Sequence, residues 1–284
     1  MSPSPQNRAP QNRAPRNGTA RHAALDALRQ RIAGLERFSG AGGGPSDLPA
    51  LPLGAAEIDG HLPWGGLPRA GLHEITYAAD SGGGPAAAGF AAALLGRLAR
   101  AENRAVVWCR RPAHGFRPNL YGAGLAHVGL DPDRLVLAQA ANSQAVLWAM
   151  EECLRSRAVT AVLGEPERAD LRARRRLQLA AEDTGVTAFL LLDDRATAVP
   201  GPAVTRWQVA GAPGRTATAW RVDLLKCRGG GRPGAWTLEW RHDDDDDDDR
   251  DDTGDDRNTH GEPAGGFRVV SPLRHGPAAG RAAG

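Results

Sequence analysis

The groups in this chain that could perform chemistry are a glycine-rich loop, a set of arginines and a single lysine. Residues 81–86 read SGGGPA and separate an apolar run at 72–76, which predicts a strand, from an alanine-rich stretch at 86–101, which predicts a helix. A strand, a glycine-rich loop and a helix N-terminus form a layout that binds phosphate, because free amides and the helix dipole favour an anion. The loop is therefore the first candidate site.

The side chains of this loop do not match those needed for ATP hydrolysis. A loop that positions ATP has the pattern GxxxxGK[ST], in which the lysine contacts the β- and γ-phosphates and the hydroxyl binds magnesium. Gly84, Pro85 and Ala86 stand where the glycine, the lysine and the hydroxyl residue are required. We interpret the segment as a vestigial phosphate loop, made of Ser81, Gly82, Gly83, Gly84, Pro85 and Ala86. It predicts no bound cofactor, no catalytic residue and no metal site.

The remaining reactive side chains are few. Lys226 is the only lysine of the chain, so a mechanism that needs a lysine has one candidate. The three cysteines, Cys109, Cys153 and Cys227, have no spacing typical of a zinc site or a CxxC motif, which favours a reducing compartment. No apolar run reaches the roughly 18 residues of a membrane span, and no signal peptide opens the chain. We expect a cytoplasmic protein without a membrane segment.

Four arginines form the best candidate surface for a partner. Arg168, Arg172, Arg175 and Arg176 have the i, i+3 and i, i+4 spacings that bring side chains together on a helix, away from the apolar face of Ala173, Leu177, Ala180 and Ala181. Such a cluster could bind a phosphate backbone or an acidic protein surface. The alternative is a solvated face, partly neutralised by Glu182 and Asp183. Arg228 and Arg232, together with Lys226, form a weaker candidate. His73 is expected to be structural, and Trp148 and Met150 are expected to lie in the core.

The charge of the chain is unevenly distributed. Residues 243–256 contain eleven aspartates and one arginine, and the rest of the chain has 34 basic and 22 acidic residues. The net charge is therefore +12 outside this run, against +2 for the whole chain. A basic body with an acidic insert is typical of proteins that work near nucleic acid. A G+C-rich genome, which enriches arginine, explains the same composition, so both interpretations stand.

The pattern of apolar runs predicts an α/β fold. Strands are predicted at 72–76, 105–109, 135–138, 159–163 and 187–192, with helices between them at 86–101, 119–128, 142–157 and 168–184. Near-continuous apolar strands separated by helices indicate a mostly parallel sheet flanked by helices. The later strands, at 204–209, 220–225 and 236–240, are separated by turn residues and predict an antiparallel extension. Alternating residues around Phe267 and Val269 predict a hairpin with the strand at 236–240.

The chain divides into six predicted segments. Residues 1–20 form a polar, proline-rich basic arm that we expect to be disordered, and 21–38 form a helix with an apolar stripe of Leu25, Leu28, Ile32 and Leu35. The core spans 46–240, and the acidic insert at 241–266 is expected to be a disordered loop inside the hairpin. A final strand at 267–273 and a disordered tail at 274–284 complete the chain. The apolar stripe of the first helix needs a docking surface, on its own domain or on a partner.

The order of these elements resembles the RecA recombinase core. The turn, strand and glycine-rich loop of 51–100 follow the order of the start of that core, and the resemblance extends over about two-thirds of the chain. It implies a P-loop-type core with a degenerate nucleotide site. The family's catalytic glutamate would follow the second strand, where Cys109, Arg110 and Arg111 stand. Its Walker B aspartate would end the strand at 159–163, where Gly164 and Glu165 stand, so Glu165 is the one carboxylate that could substitute.

Several segments resemble a narrower family. SQAVLWAMEECLRSRAVTAVLGE, DLRARRRLQLAAEDTGVTAFLLL, VDLLKCRGGGRPGAWTLEW and FRVVSPL are similar to ImuA, the RecA/SulA-like accessory proteins of bacterial SOS mutagenesis. The resemblance implies a non-catalytic adaptor in error-prone translesion DNA synthesis. The implied partners are an ImuB-like relative of Y-family polymerases and a DnaE-type polymerase, with RecA or DNA as further candidates. The helix at 21–38 would be one docking element.

Two other functions compete with the adaptor. The first is an ATP-binding recombinase relative that uses Glu165 with Lys226 supplied across a subunit interface, since the RecA resemblance places Lys226 and Arg228 near a neighbour's nucleotide. It predicts magnesium-dependent ATP turnover that is lost on substitution of Lys226. The second is a SulA-like inhibitor of cell division, which needs no nucleotide site and predicts filamentous cells on overexpression.

Overall fold

A computed structural model describes residues 50–78, 83–112, 119–197, 201–213, 218–241 and 265–273. All of them belong to one compact unit of the chain. The basic arm, the predicted helix at 21–38 with Leu25, Leu28, Ile32 and Leu35, the acidic run and the tail lie outside the described residues. No helix within the described ranges is long and apolar enough to cross a membrane.

One sheet of nine strands runs through the described residues. Its strands are β1 (Leu72–Tyr77), β2 (Val106–Arg110), β3 (Leu135–Gln139), β4 (Ala161–Glu165), β5 (Thr187–Asp193), β6 (Thr205–Gly211), β7 (Ala219–Cys227), β8 (Gly234–Arg241) and β9 (Gly266–Leu273). Their order in the sheet is β3-β2-β4-β5-β1-β6-β7-β8-β9. Every neighbouring pair from β3 to β6 is parallel, and every pair from β6 to β9 is antiparallel. The predicted α/β fold is confirmed and is consistent with a RecA-like core.

Five α-helices accompany the sheet in the described part of the chain. They are α1 (Ala56–Asp59), α2 (Gly83–Glu102), α3 (Gly122–His127), α4 (Ser143–Ser156) and α5 (Leu171–Thr184). The side chain of Asn142 accepts the amide of Ala145 at the start of α4, and that of Asp170 accepts the amide of Ala173 at the start of α5. Such caps satisfy amides that have no partner inside the helix. α2 begins three residues earlier than predicted, so Gly83, Gly84 and Pro85 belong to its first turn.

The two faces of the sheet carry separate apolar clusters. Phe90, Leu94 and Leu98, spaced one helical turn apart on α2, are buried against one face together with Trp207 and Trp220. The opposite face is covered by α4 and α5, which bury residues including Val146, Met150, Leu154 and Leu177. Burial of both faces explains why the parallel strands read as continuous apolar runs. The carboxyl ends of β1, β2 and β4 lie beside the start of α2.

The last hairpin forms as the alternation of residues predicts. Trp240 pairs with Phe267 and Leu238 pairs with Val269 across β8 and β9. The acidic run therefore lies in the connection between two paired strands. Arg241 and Gly266 also pair, so both ends of the segment predicted as an insert, 241–266, belong to strands. The ladder is therefore one pair longer than predicted, since Arg241 and Gly266 follow the pair of Trp240 and Phe267.

Candidate functional site

The start of α2 lies at the position where a RecA-like core binds phosphate. Gly83 is buried and Pro85 is exposed in the first turn of the helix, while Ser81 and Gly82 lie outside the described residues. The first turn of a helix offers free amides to an anion, but proline has no amide hydrogen to donate. Tyr77, the last residue of β1, faces this turn, since a Cβ on Gly84 would lie 3.5 Å from its ring. The residues of this turn offer neither a lysine nor a hydroxyl to a phosphate.

The carboxylate of Glu165 is held by two side chains of β2. Trp108 donates its indole N–H to Glu165 Oε1 at 2.7 Å, and Arg110 forms an ion pair with Oε2 at 3.7 Å. Arg110 and Glu165 are direct partners in the β2–β4 register, so both point to the same face of the sheet. A magnesium ion bound at Glu165 would have to displace or share these contacts beside the positive charge of Arg110. Glu165 therefore stabilises the strand ends in this structure.

Gly164 cannot supply the missing carboxylate. It pairs with Cys109 in the β2–β4 register and faces α4, on the side of the sheet opposite to Glu165. A Cβ built on Gly164 would clash with Sδ of Met150, which is fully buried on α4. The register thus decides between the two residues at the end of β4, and Glu165 is the one that faces the cleft. Within the described ranges, no group of three His, Cys, Asp or Glu residues is placed to hold a metal ion.

A cavity of about 390 Å³ opens beside these groups. Arg110 and Glu165 contribute its charged atoms, and its wall includes the aromatic residues Tyr77, Trp108 and Tyr121. The wall is extended by apolar side chains, among them Pro85 and Leu120. The cleft at the carboxyl ends of the strands therefore combines one internal ion pair with mainly apolar surroundings, a chemistry unlike that of a triphosphate site.

Lys226 and Arg228 lie at the other end of β1. Val204, which precedes β6, donates its amide to Leu72 at the start of β1, and Arg228 donates its amide to Val204. Lys226 Nζ donates to the carbonyl of Gly201 at 2.5 Å, and the Arg228 guanidinium donates to that of Pro202 at 2.7 Å. Burial lowers the pKa of Lys226, and the nearby charge of Arg228 lowers it further. The two side chains are brought together, but they anchor a loop and cannot reach the start of α2.

A buried carboxylate supports this region. Glu74 on β1 is fully buried and forms ion pairs with Arg174 at 3.3 Å and Arg206 at 2.6 Å. Arg174 on α5 points inward and is itself buried. The spacing of the arginines on this helix does not predict that Arg174 differs from its exposed neighbours. A buried carboxylate flanked by two guanidinium groups keeps its charge compensated. These three side chains therefore fix β1, β6 and α5 relative to one another.

The four arginines predicted as a partner surface share the exposed side of α5 and of the segment before it. Arg168, Arg172, Arg175 and Arg176 are all exposed, while Ala173, Leu177 and Ala181 are buried and Ala180 is half-buried. Arg176 forms an ion pair with Glu151 of α4 at 3.3 Å. Glu182 pairs instead with Arg228 at 3.5 Å, and Asp183 with Arg157 at 3.9 Å. Neither Glu182 nor Asp183 therefore forms an ion pair with these four arginines in the described structure, because both carboxylates pair elsewhere.

Comparison with known proteins identifies the family. The chain is 37% identical over 211 residues to Protein ImuA of Caulobacter vibrioides strain NA1000 / CB15N, an alignment that covers 67% of this chain and 83% of the relative. The Protein ImuA of strain ATCC 19089 of the same species matches with the same identity and coverage. The chain belongs to the ImuA family. No protein-family model matches it.

Sequence reasoning misassigns one side chain of this ImuA-family chain. Trp148 is predicted to lie in the core, yet its side chain is 63% exposed. It lies on the side of α4 opposite to Val146, Met150 and Leu154, which are buried as a helical stripe. A helical projection of 143–156 is the signal that separates Trp148 from Met150. Met150 and His73, which are predicted to be structural, are both fully buried.

Proposed function

We propose that this ImuA-family chain is a non-catalytic accessory protein of SOS-induced, error-prone translesion synthesis. One observation carries the proposal: Glu165, the carboxylate that faces the cleft, is engaged by Trp108 and Arg110 beside a helix start without lysine or hydroxyl. A core with this cleft serves as a scaffold for protein contacts. Its partners are an ImuB-like relative of Y-family polymerases and a DnaE-type polymerase, which the chain bridges.

The helix at 21–38 is the proposed docking element for one of these partners. Its apolar stripe of Leu25, Leu28, Ile32 and Leu35 follows from the sequence, and an apolar helix stripe is stabilised by burial against another surface. Charged residues placed in that stripe would oppose burial. The contact is therefore expected to depend on the stripe rather than on the cleft.

Co-purification with the two polymerase partners tests the proposal. The double variant Leu28→Asp/Ile32→Asp is expected to lose capture of a partner, while Gln30→Asp, on the other side of the same predicted helix, retains it. Both variants should unfold cooperatively at the temperature of the wild-type chain. Capture that survives Leu28→Asp/Ile32→Asp would contradict the docking role of the helix. The accessory function would be contradicted if the wild-type chain captured neither polymerase and if deletion of the gene left damage-induced mutation unchanged.

The ATP-hydrolysing alternative finds less support. Glu165 and Lys226 lie at opposite ends of the parallel strands, and each is engaged by groups of its own chain. A site shared between subunits would require both sets of interactions to break. In that case Lys226→Ala would abolish magnesium-dependent ATP turnover. The scaffold proposal predicts no such turnover in the wild-type chain.

A further inference from the structure

The outer surface of α4 and α5 combines exposed arginines with an exposed tryptophan. The ion pair between Glu151 of α4 and Arg176 of α5 places these two residues side by side on adjacent helices. Trp148 lies one turn before Glu151 on α4, and Arg172 lies one turn before Arg176 on α5. Both helices connect parallel strands of one sheet and so run in the same direction. Trp148 and Arg172 are therefore at the same level on adjacent helices.

Most of the arginines on this surface lack an ion-pair partner among the described residues. Arg168, Arg172 and Arg175 form no ion pair with the described residues, and Arg176 has the single partner Glu151. Glu151 is shared with Arg155, which also pairs with Glu152. The carboxylate of Asp170 caps the amide of Ala173 at 2.6 Å. An excess of exposed guanidinium groups with i, i+3 and i, i+4 spacing presents several donors to a polyanion at once.

Two large apolar side chains are exposed on this surface. Trp148 is 63% exposed and Leu179 of α5 is 56% exposed, whereas the tryptophans of the sheet are buried. An indole ring offers its faces to a nucleobase irrespective of sequence, and guanidinium groups bind the phosphates beside it. A duplex hides the faces of its bases in the stack, so a ring on the protein surface discriminates in favour of single strands.

We propose that the basic–aromatic surface, defined by Trp148, Arg168, Arg172, Arg175, Arg176 and Leu179, binds single-stranded nucleic acid. The arginines contact successive phosphates, and a base stacks on Trp148. An acidic polypeptide would satisfy the arginines but would make no use of the exposed indole, so the nucleic acid is the better fit. This binding requires neither a nucleotide in the cleft nor a polymerase partner, and its failure would leave the accessory function standing.

Fluorescence anisotropy with a labelled oligothymidylate tests the proposal on the full chain. Trp148→Ala is expected to weaken binding about fivefold to a hundredfold, and Trp148→Phe to restore most of it, because an aromatic face is what stacks. Arg172→Ala/Arg175→Ala should reduce the slope of log affinity against log salt by about 1.4, since each phosphate of a single strand that an arginine neutralises contributes about 0.7. Arg104→Ala/Arg221→Ala, which removes the same charge from exposed arginines elsewhere, should leave affinity within about twofold of wild type.

Four results would overturn the proposal. These are no binding by the wild-type chain, equal affinity for single strand and duplex, equal losses of affinity in the two double-arginine variants, and an unchanged affinity in Trp148→Ala. Displacement of the oligonucleotide by a polyaspartate peptide can be compared between the wild-type chain and Trp148→Ala. Equal displacement from both would assign the surface to an acidic protein instead. Each variant alters exposed side chains, so circular dichroism and the unfolding midpoint should match those of the wild type.

Discussion

Trp108 donates its indole N–H to Glu165 Oε1 at 2.7 Å, across two neighbouring parallel strands. The bond runs from the middle of β2 to the last residue of β4, beside the strand ends where the RecA resemblance would place catalytic carboxylates. Arg110 holds the other carboxylate oxygen at 3.7 Å. Contacts within the sheet therefore engage Glu165, the carboxylate that stands where a RecA-like core would need a catalytic acid. The cleft contains an ion pair at this position.

Replacing Glu165 by glutamine tests its structural role. The glutamine side chain would keep an oxygen that accepts the indole N–H, but it would remove the negative charge that faces the buried guanidinium of Arg110. We expect Glu165→Gln to lower the free energy of unfolding by about 1–3 kcal/mol in urea titrations. Glu152→Gln, in an exposed ion pair with Arg155, is the control and should cost about 1 kcal/mol or less. Equal effects of the two substitutions would contradict a structural role for Glu165.

Removing the charge of Glu74 should have a larger effect. Its carboxylate is fully buried between Arg174 and Arg206, so Glu74→Gln removes the negative charge that lies between two guanidinium groups. The expected decrease in the free energy of unfolding is about 3–5 kcal/mol, as for other buried ion pairs in which one partner is removed. Thermal unfolding measures it, with the exposed Glu57→Gln as the control. A decrease no greater than that of the control would show that the arginines find compensation elsewhere.

Buried His73 makes the stability of the fold depend on pH. Its Nε2 donates to the carbonyl of Pro68 at 2.9 Å, and its Nδ1 accepts from the hydroxyl of Thr205 at 2.8 Å, so the ring is held neutral. Burial lowers the pKa of His73 to about 4. The unfolded chain therefore binds a proton that the folded chain does not between about pH 6.5 and pH 4.

Acid should destabilise the fold through His73. Stability from His73 is complete above the pKa of the unfolded histidine and falls as the pH drops toward the folded pKa. The wild-type chain should lose about 2 kcal/mol more than His73→Gln between pH 7 and pH 5, measured by denaturant unfolding at both values. Parallel pH dependence in the two proteins would contradict a neutral, buried ring.

Shortening the acidic connection should leave the hairpin intact. The pairing of β8 with β9 extends to Arg241 and Gly266, and we expect it not to depend on the residues between them. Deleting 243–256 more than halves the connection, and loop closure changes by about 0.6 kcal/mol for each halving. We expect a gain below about 1 kcal/mol in unfolding experiments. A variant with its eleven aspartates replaced by serine separates charge from length, and a large loss of stability in the deletion would contradict the independence of the hairpin.

Much of the fold could be predicted because its signals are local. Continuous apolar runs predict the parallel strands, since both faces of the sheet are buried, and alternation around Trp240 and Phe267 predicts the last hairpin. The predicted start of α2 is too late because glycine and proline usually interrupt helices, although proline is well accommodated in a first turn.

The contacts of the cleft could not be predicted because they depend on register. Whether Gly164 or Glu165 faces the cleft is decided by the alignment of β4 on β2, and a shift of one residue would exchange them. Glu182 pairs with Arg228 and Asp183 pairs with Arg157, and both arginines lie outside α5. Helical spacing alone assigns these carboxylates to their neighbours on α5, which is why the arginine surface is more positive than expected.

Nucleotide binding by the purified chain tests the central claim most directly. Isothermal titration with ATP, with and without magnesium and single-stranded DNA, should give no saturable heat at millimolar nucleotide, and a parallel phosphate-release assay should give no turnover. The reason is that the cleft offers Pro85 and Ala86 in place of the phosphate-binding side chains, and a carboxylate engaged by Trp108 and Arg110. Saturable, magnesium-dependent binding with turnover that Lys226→Ala abolishes would contradict the account.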